Sequence, residues 1–159
     1  MIVVTFLLLL VVAGWIYWVL ALWLVRGMFK TRPQAKSEFT PAVSILKPVK
    51  GLDPQAYQNF ASFCQQNYPD FELLFGMADP KDPAISVVER LQEDLSDCNI
   101  RLVIGQATGS NRKASVLHHL AAQANHEILV ISDSDMRVTS DYLRRVVAPL
   151  ADEEIGLVT

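Results

Sequence analysis

From Ile2 to Val25 the chain carries no charged residue, and this run limits the possible folds more than any other feature. As a helix rising about 1.5 Å per residue it spans about 36 Å, enough to cross a hydrocarbon core of about 30 Å with some tilt. A cleaved signal peptide fits less well, because the run is too long, no basic stretch precedes it and the positive charges lie behind it. Those charges are Arg26, Lys30, Arg32 and Lys36. By the positive-inside rule they put that end, and everything after it, in the cytoplasm, with the plasma membrane as the site in a bacterium. Trp23 stands near the cytoplasmic end, where an indole favours the interface, while Trp15, Tyr17 and Trp18 lie deeper and are suited to packing on another helix. The expected layout is a transmembrane signal anchor over residues 1–30, a linker over 31–40 and a soluble domain over 41–159.

The apolar excess of the chain, 51% hydrophobic residues, sits in this first segment. About 120 residues remain after it, the size of one small domain. The formal net charge is −3 and the basic residues cluster beside the apolar run, which argues against a nucleic-acid partner, since such a domain carries a basic stripe on its folded part. Cys64 and Cys98 are the only cysteines and lack CxxC or Cys/His ligand spacing, so they read as free thiols of a cytosolic domain. There is no internal repeat and no low-complexity tract.

The soluble part alternates regularly. Val43 to Leu46 predict a strand, and Asp53-Pro54 predicts an N-cap with proline at the first helical position, opening a helix to about Gln66. Phe71 to Met77 predict a second strand. Asp82-Pro83 then caps a helix from Ala84 to about Leu95, with Ile85, Val88 and Leu91 at helical spacing. Ile100 to Ile104 predict a third strand, Gly105 to Gly109 a loop, and Asn111 to Ala124 a helix burying Val116, Leu117, Leu120, Ala121 and Ala124. After a fourth strand, Thr139 or Ser140 caps a last helix through Leu150, and Ile155 to Val158 read as the start of a fifth strand. Strict alternation predicts an α/β fold: a Rossmann-like, mainly parallel sheet with right-handed crossovers and helices on both faces. Because the chain stops inside an element, it is expected to be a fragment of a larger protein.

The fourth strand carries the chemistry. In EILVISDSDMRV, Glu127 to Val138, the short β-branched run Ile128 to Ile131 fits a strand buried on both faces of a parallel sheet. It ends in acid, so Asp133 and Asp135 arrive at the carboxyl edge, where open α/β sheets bind ligands. Two carboxylates one residue apart repel each other, and a divalent cation removes the repulsion. Hard oxygen donors suit Mg²⁺ or Mn²⁺, which complete their shell with water and phosphate oxygens. The alternative is a pair of solvated turn or cap residues.

The run from Val43 to Val138 resembles the N-terminal half of a processive-type GT-A glycosyltransferase, and most closely the ceramide glucosyltransferase family with its bacterial lipid-glycosylating relatives. The matching segments are VSILKPVKGLDP (Val43 to Pro54), QQNYPDFELLFGMADPKDPA (Gln65 to Ala84), RLVIG (Arg101 to Gly105), NRKASVL (Asn111 to Leu117) and HEILVISDSDMRV (His126 to Val138). The resemblance implies the nucleotide-binding half of a GT-A fold and an inverting transfer of a hexose, expected to be glucose, from a UDP-sugar to a lipid such as ceramide. It implies that Asp79 accepts from the uracil ring, since a carboxylate offers only acceptors to a ring N–H. It also implies that Asp133 and Asp135 form the DxD pair holding Mn²⁺ or Mg²⁺ against the donor diphosphate, Asp133 being the firmer of the two because some members lack an acid at the Asp135 position. Lys113, near a helix start, is suited to a phosphate or nucleotide, and Lys47 and Lys50, flanking Pro48, are candidate donor contacts. Against these stand plainer readings: Asp79 as a loop or capping aspartate, and Lys113 as a solvated lysine.

The family's general base and its Q/RxxRW motif are expected beyond Thr159, so no residue here takes the catalytic-base role and the fragment is expected to be inactive alone. His118, His119 and His126 read as surface or boundary histidines. Two other functions fit part of the pattern. A phosphatase-like hydrolase of the haloacid-dehalogenase type would use Asp133 as nucleophile, but Arg137 occupies its fifth motif position and three βα units precede the motif. A non-enzymatic, membrane-tethered nucleotide-sugar-binding half-domain would share every donor-site residue.

Overall fold

The computed structural model describes residues 2–30, 39–105 and 111–159. Most of the linker expected over 31–40, with Arg32 and Lys36, and the loop residues 106–109 lie outside them. The chain divides into two compact units, Met1–Gln34 and Ala35–Thr159. The first is one helix, α1 (Ile2–Lys30). Its segment Ile2–Gly27, with mean hydropathy 2.5 and no part of it buried, is long and apolar enough to cross a membrane.

In the second unit the elements run β1 (Val43–Pro48), α2 (Ala56–Cys64), β2 (Phe71–Met77), α3 (Ala84–Asp94), β3 (Ile100–Ile104), α4 (Arg112–Gln123), β4 (Ile128–Ile131) and α5 (Tyr142–Val147), followed by a 3₁₀ turn Ala148–Ala151. The four strands form one parallel sheet in the order β3-β2-β1-β4. Parallel pairing follows from the helical crossovers, which return each strand to the same end.

Alternation along the strands separates two layers. Val43 and Ile45 of β1 with Leu73, Phe75 and Met77 of β2 bury against Phe60 and Phe63 of α2, Val88 and Leu91 of α3, and Leu143 and Val147 of α5. The Phe60 and Phe75 rings stand 4.7 Å apart. On the other face Leu46, Leu74 and Val103 meet Leu120 of α4, with Val116, Leu117, Ala121 and Ala124 around them. Gly76 allows this close approach: a Cβ there would lie 2.6 Å from Val116 and 2.7 Å from Leu120. At the amino end of the sheet, Ser44 Oγ, the Asn125 backbone N–H and side-chain amide, and Arg101 all donate to the buried Glu72 carboxylate. Burial pushes that carboxyl's pKa up, but the hydrogen bonds outweigh it and hold Glu72 below its usual value.

Several expectations are corrected. Among the described residues the fourth strand pairs with β1 alone, and it is not buried on both faces: Leu129 is 41% and Ile131 57% exposed. The reason is lateral position, since α4 packs chiefly over β1 and β2. Ile155–Val158 form no strand; the Ile155 N–H closes a turn on the Asp152 carbonyl, and no open strand edge pairs with the segment. The second helix begins at Ala56, two residues after Pro54, with Gln55 at its N-cap and no side-chain cap. The last helix is shorter than expected because Pro149 sits in a tighter 3₁₀ turn. Asn111, in contrast, caps α4 through the Ala114 N–H, and Asp82 accepts from the Ala84 N–H at the start of α3.

Candidate functional site

β1 is followed on one side by β2 and β3 and on the other by β4, so the strand order reverses between β1 and β4. At such a switch point the loops leaving the two strands diverge and open a crevice at the carboxyl ends. Here it is a cleft of about 540 Å³ walled by the loops after β1, β2 and β4 and by the start of α4. This volume falls within the range of small-molecule sites.

Five of the six residues singled out from the sequence reach it. Lys50, Asp79, Lys113, Asp133 and Asp135 all line the cleft. Asp79 follows β2, and its Oδ1 accepts from the Lys81 N–H at 2.8 Å, leaving Oδ2 outside that turn bond. Gly51 adopts φ +74°, a conformation open to glycine at little cost, and its N–H donates to Asp82 Oδ2 at 2.8 Å. That bond joins the loop bearing Lys50 to the loop bearing Asp79. Lys113, in the first turn of α4, pairs with Asp133, whose carboxylate stands beyond the end of β4.

Lys47 goes elsewhere. β1 continues two residues past Leu46, pairing Lys47 with Phe75, so alternation turns the side chain into the layer shared with α2 and away from the cleft. It is 0% exposed, with Nζ 3.8 Å from the centre of the Phe63 ring, 3.2 Å from Ser132 Oγ and 2.7 Å from the Asp133 carbonyl oxygen. Burial lowers its pKa to about 7, against the charges of Asp133 and Asp135, which raise it. Lys47 therefore supports the acidic loop from beneath, and its place as a direct donor contact is corrected.

Arg112, Asp53 and Asp82 also line the cleft; the sequence pointed to the two aspartates only as helix caps and gave Arg112 no role. The signal for Arg112 was its place beside Lys113 at a helix start, where cations and free N–H groups together suit a phosphate. Among the described residues no three His, Cys, Asp or Glu side chains converge as a metal cage. The donor set is instead two carboxylates of adjacent-but-one residues open to a roomy cleft. That fits Mg²⁺ or Mn²⁺, which keep few protein ligands and take the rest from water and phosphate.

A parallel sheet with helices on both faces and two acids at its switch-point edge is an architecture of the GT-A type. Residues 6–159 match the family model described as glycosyl transferase family 21, and the chain belongs to that family. Membership sets aside the hydrolase reading. The chain is 32% identical over 121 residues to ceramide glucosyltransferase 3 of Caenorhabditis elegans, covering 75% of this chain and 26% of that protein. It is 28% identical over 148 residues to the ceramide glucosyltransferase of Candida albicans, covering 79% and 27%. The chain thus spans about a quarter of the length of the curated relatives it matches. Among solved structures, a mannosyltransferase of Pyrobaculum calidifontis in complex with GDP-Man and Mn²⁺ superposes with a TM-score of 0.67 at 27% identity, covering 75% of this chain and 35% of that one.

Proposed function

We propose that this chain is the membrane anchor and donor-binding part of a glycosyltransferase that moves glucose from UDP-glucose to a lipid alcohol such as ceramide, with inversion. The observation that carries the reading is convergence: Asp79, Lys50, Lys113 and the Asp133/Asp135 pair come from four separate segments and meet in one cleft. The ceramide glucosyltransferase relatives support both sugar and acceptor, and the Mn²⁺ and sugar nucleotide of the mannosyltransferase support the donor chemistry.

In this reading Asp79 accepts from the nucleobase N–H, and Lys50, Arg112 and Lys113 face the diphosphate with fixed positive charge. Asp133 and Asp135 would hold Mn²⁺ or Mg²⁺. When bound, the metal supplies Lewis-acid neutralisation of the charge that grows on the departing nucleoside diphosphate. The proton of the acceptor hydroxyl goes to a general base that is assigned to none of these residues, so the 159-residue chain binds donor without transferring sugar. With α1 across the bilayer and Arg26 at its inner end, the soluble unit belongs to the cytosolic side, and its tether to the membrane suits a lipid acceptor. The layout is an anchor over 1–30, a linker over 31–40 and the donor-binding part of the transferase domain over 41–159.

The test is equilibrium binding of UDP and GDP to the purified chain with Mn²⁺ or with EDTA. Tighter UDP binding with Mn²⁺, abolished by Asp133→Ala, is expected. A metal dependence that survives in that variant removes Asp133 from the site, and a preference for GDP removes UDP from the reading.

A further inference from the structure

The acidic loop is held from its inner side by a row of buried polar side chains that no chemistry in the cleft requires. Lys47 Nζ donates to the Asp133 carbonyl at 2.7 Å, and Asn59 Nδ2 donates to the Asp135 carbonyl at 3.2 Å. Further along, Ser62 Oγ accepts from the Val138 N–H at 3.1 Å. Gln66 donates to the Thr139 carbonyl and accepts from the Leu143 N–H. The holding side chains come from two stretches, since Lys47 lies near the end of β1 and the other three lie along α2 and just beyond it.

Asn59, Ser62 and Gln66 recur at i, i+3 and i+7, which puts them on one helix face. That face is buried, Asn59 being 6% exposed, and burying polar groups costs free energy unless every one is bonded. Here each is. Ser62 Oγ also donates to the Asn59 carbonyl, and Gln66 also donates to the Ser62 carbonyl, so the row is continuous. Apolar side chains at these positions would pack against α5 and β4 without this requirement. What they could not do is grip a backbone. The row does so at the two residues whose carboxylates line the cleft: with both carbonyl oxygens tied inward, the Asp133 and Asp135 side chains stand outward on the same side of the loop. Lys47 places its donor directly beneath the first of the two acids.

We propose that Lys47 and Asn59, continued by Ser62 and Gln66, are positioning residues that fix the backbone of residues 133–139 and thereby preset the two carboxylates as a metal-binding pair. The metal half of this statement rests on the function proposed above; the holding of the loop does not. Partners that orient metal ligands without touching the metal change its affinity by about 10–100-fold.

The test uses the full chain in detergent micelles with two readouts. Mn²⁺ affinity is measured from the paramagnetic resonance of free Mn²⁺, and backbone protection over residues 132–141 by hydrogen–deuterium exchange and mass spectrometry without metal. Asn59→Leu keeps the size and removes the donor. It is expected to raise the Mn²⁺ dissociation constant about tenfold or more and to speed exchange across 132–141. Lys47→Met is expected to do the same, and if it does not fold, Asn59→Leu decides. Val88→Ala truncates the core in α3 and lowers the melting temperature, so it shows what lost stability alone does; it is expected to leave both readouts unchanged. Unchanged affinity and exchange in Asn59→Leu overturn the proposal, as does an equal response in Val88→Ala. If the unsubstituted chain binds no Mn²⁺, the metal reading fails, and the exchange readout by itself decides whether the loop is held from beneath.

Discussion

Lys113 Nζ lies 2.5 Å from Asp133 Oδ1, joining residues twenty positions apart in the chain. The pair links the first turn of α4 to the loop after β4 across the mouth of the cleft. Both side chains are more than half exposed, 56% and 57%, so water screens the pair and its contribution to stability is small. Its consequence is competition, because the lysine occupies the carboxylate proposed to receive the metal.

Lys113→Met should therefore shift two affinities in opposite directions. Mn²⁺ alone is expected to bind about 2–5-fold more tightly, the range an exposed ion pair controls. UDP in the presence of Mn²⁺ is expected to bind more weakly, since a positive charge facing the phosphates is lost. Calorimetric titration of each ligand checks both signs, and a parallel change in the two would mean that Lys113 does not face the diphosphate.

Asp79 and the Asp133/Asp135 pair should be separable by ligand. Asp79→Asn replaces a charged acceptor by an amide and is expected to cost about 1.5–3 kcal/mol of UDP affinity, the worth of a hydrogen bond to a charged group, while Mn²⁺ binding stays unchanged. Asp135→Asn is expected to weaken Mn²⁺ binding and leave metal-independent nucleotide binding as it was. Binding of both ligands to both variants provides the check.

Glu72 sets an acid limit on stability. Its folded pKa is held below the ordinary glutamate value by Ser44, Asn125 and Arg101. Its stabilisation is therefore complete above the unfolded pKa and is lost as pH falls through the depressed folded one. Glu72→Gln is expected to cost about 1–3 kcal/mol near neutral pH and to flatten the fall in melting temperature on acidification. Thermal unfolding at a series of pH values below 7 tests this; an equally steep fall in the variant would place the acid sensitivity elsewhere.

Gly76→Ala should strain the seam between β2 and α4. The added methyl meets Val116 and Leu120 at under 3 Å, and overpacking of this kind costs about 1–3 kcal/mol. Because Lys113 and Val116 share α4, the same shift is expected to weaken UDP binding. Denaturant unfolding and UDP titration of the variant measure the two effects.

Orientation in the membrane can be read with the two native thiols. Cys64 and Cys98 are both partly exposed in the soluble unit. If that unit faces the cytosol, a membrane-impermeant maleimide added to intact cells should leave both unlabelled until the membrane is permeabilised. Labelling of intact cells would reverse the proposed orientation.

Much of this architecture is legible in one dimension, because it rests on short-range physics. A charge-free run long enough for a bilayer needs no partner to be recognised in Ile2 to Val25. The switch between strand and helix periodicity marks four strands and their crossovers, and acids directly after an apolar run place Asp133 and Asp135 at the carboxyl edge. The tertiary structure decided the rest. Among the described residues the order β3-β2-β1-β4 puts β4 outermost and leaves Leu129 and Ile131 exposed, although the same apolar residues suit a central strand. Two further residues of pairing in β1 turned Lys47 from the cleft to the core, since side-chain direction alternates at every position. The contacts of Lys47 with the Asp133 carbonyl, Asn59 with the Asp135 carbonyl and Lys113 with the Asp133 carboxylate join residues 20 to 86 positions apart. Local periodicity specifies which residues form an element and which face each presents. Lateral order in the sheet and the pairing of distant side chains are settled by packing the elements together, when every buried polar group must find a partner.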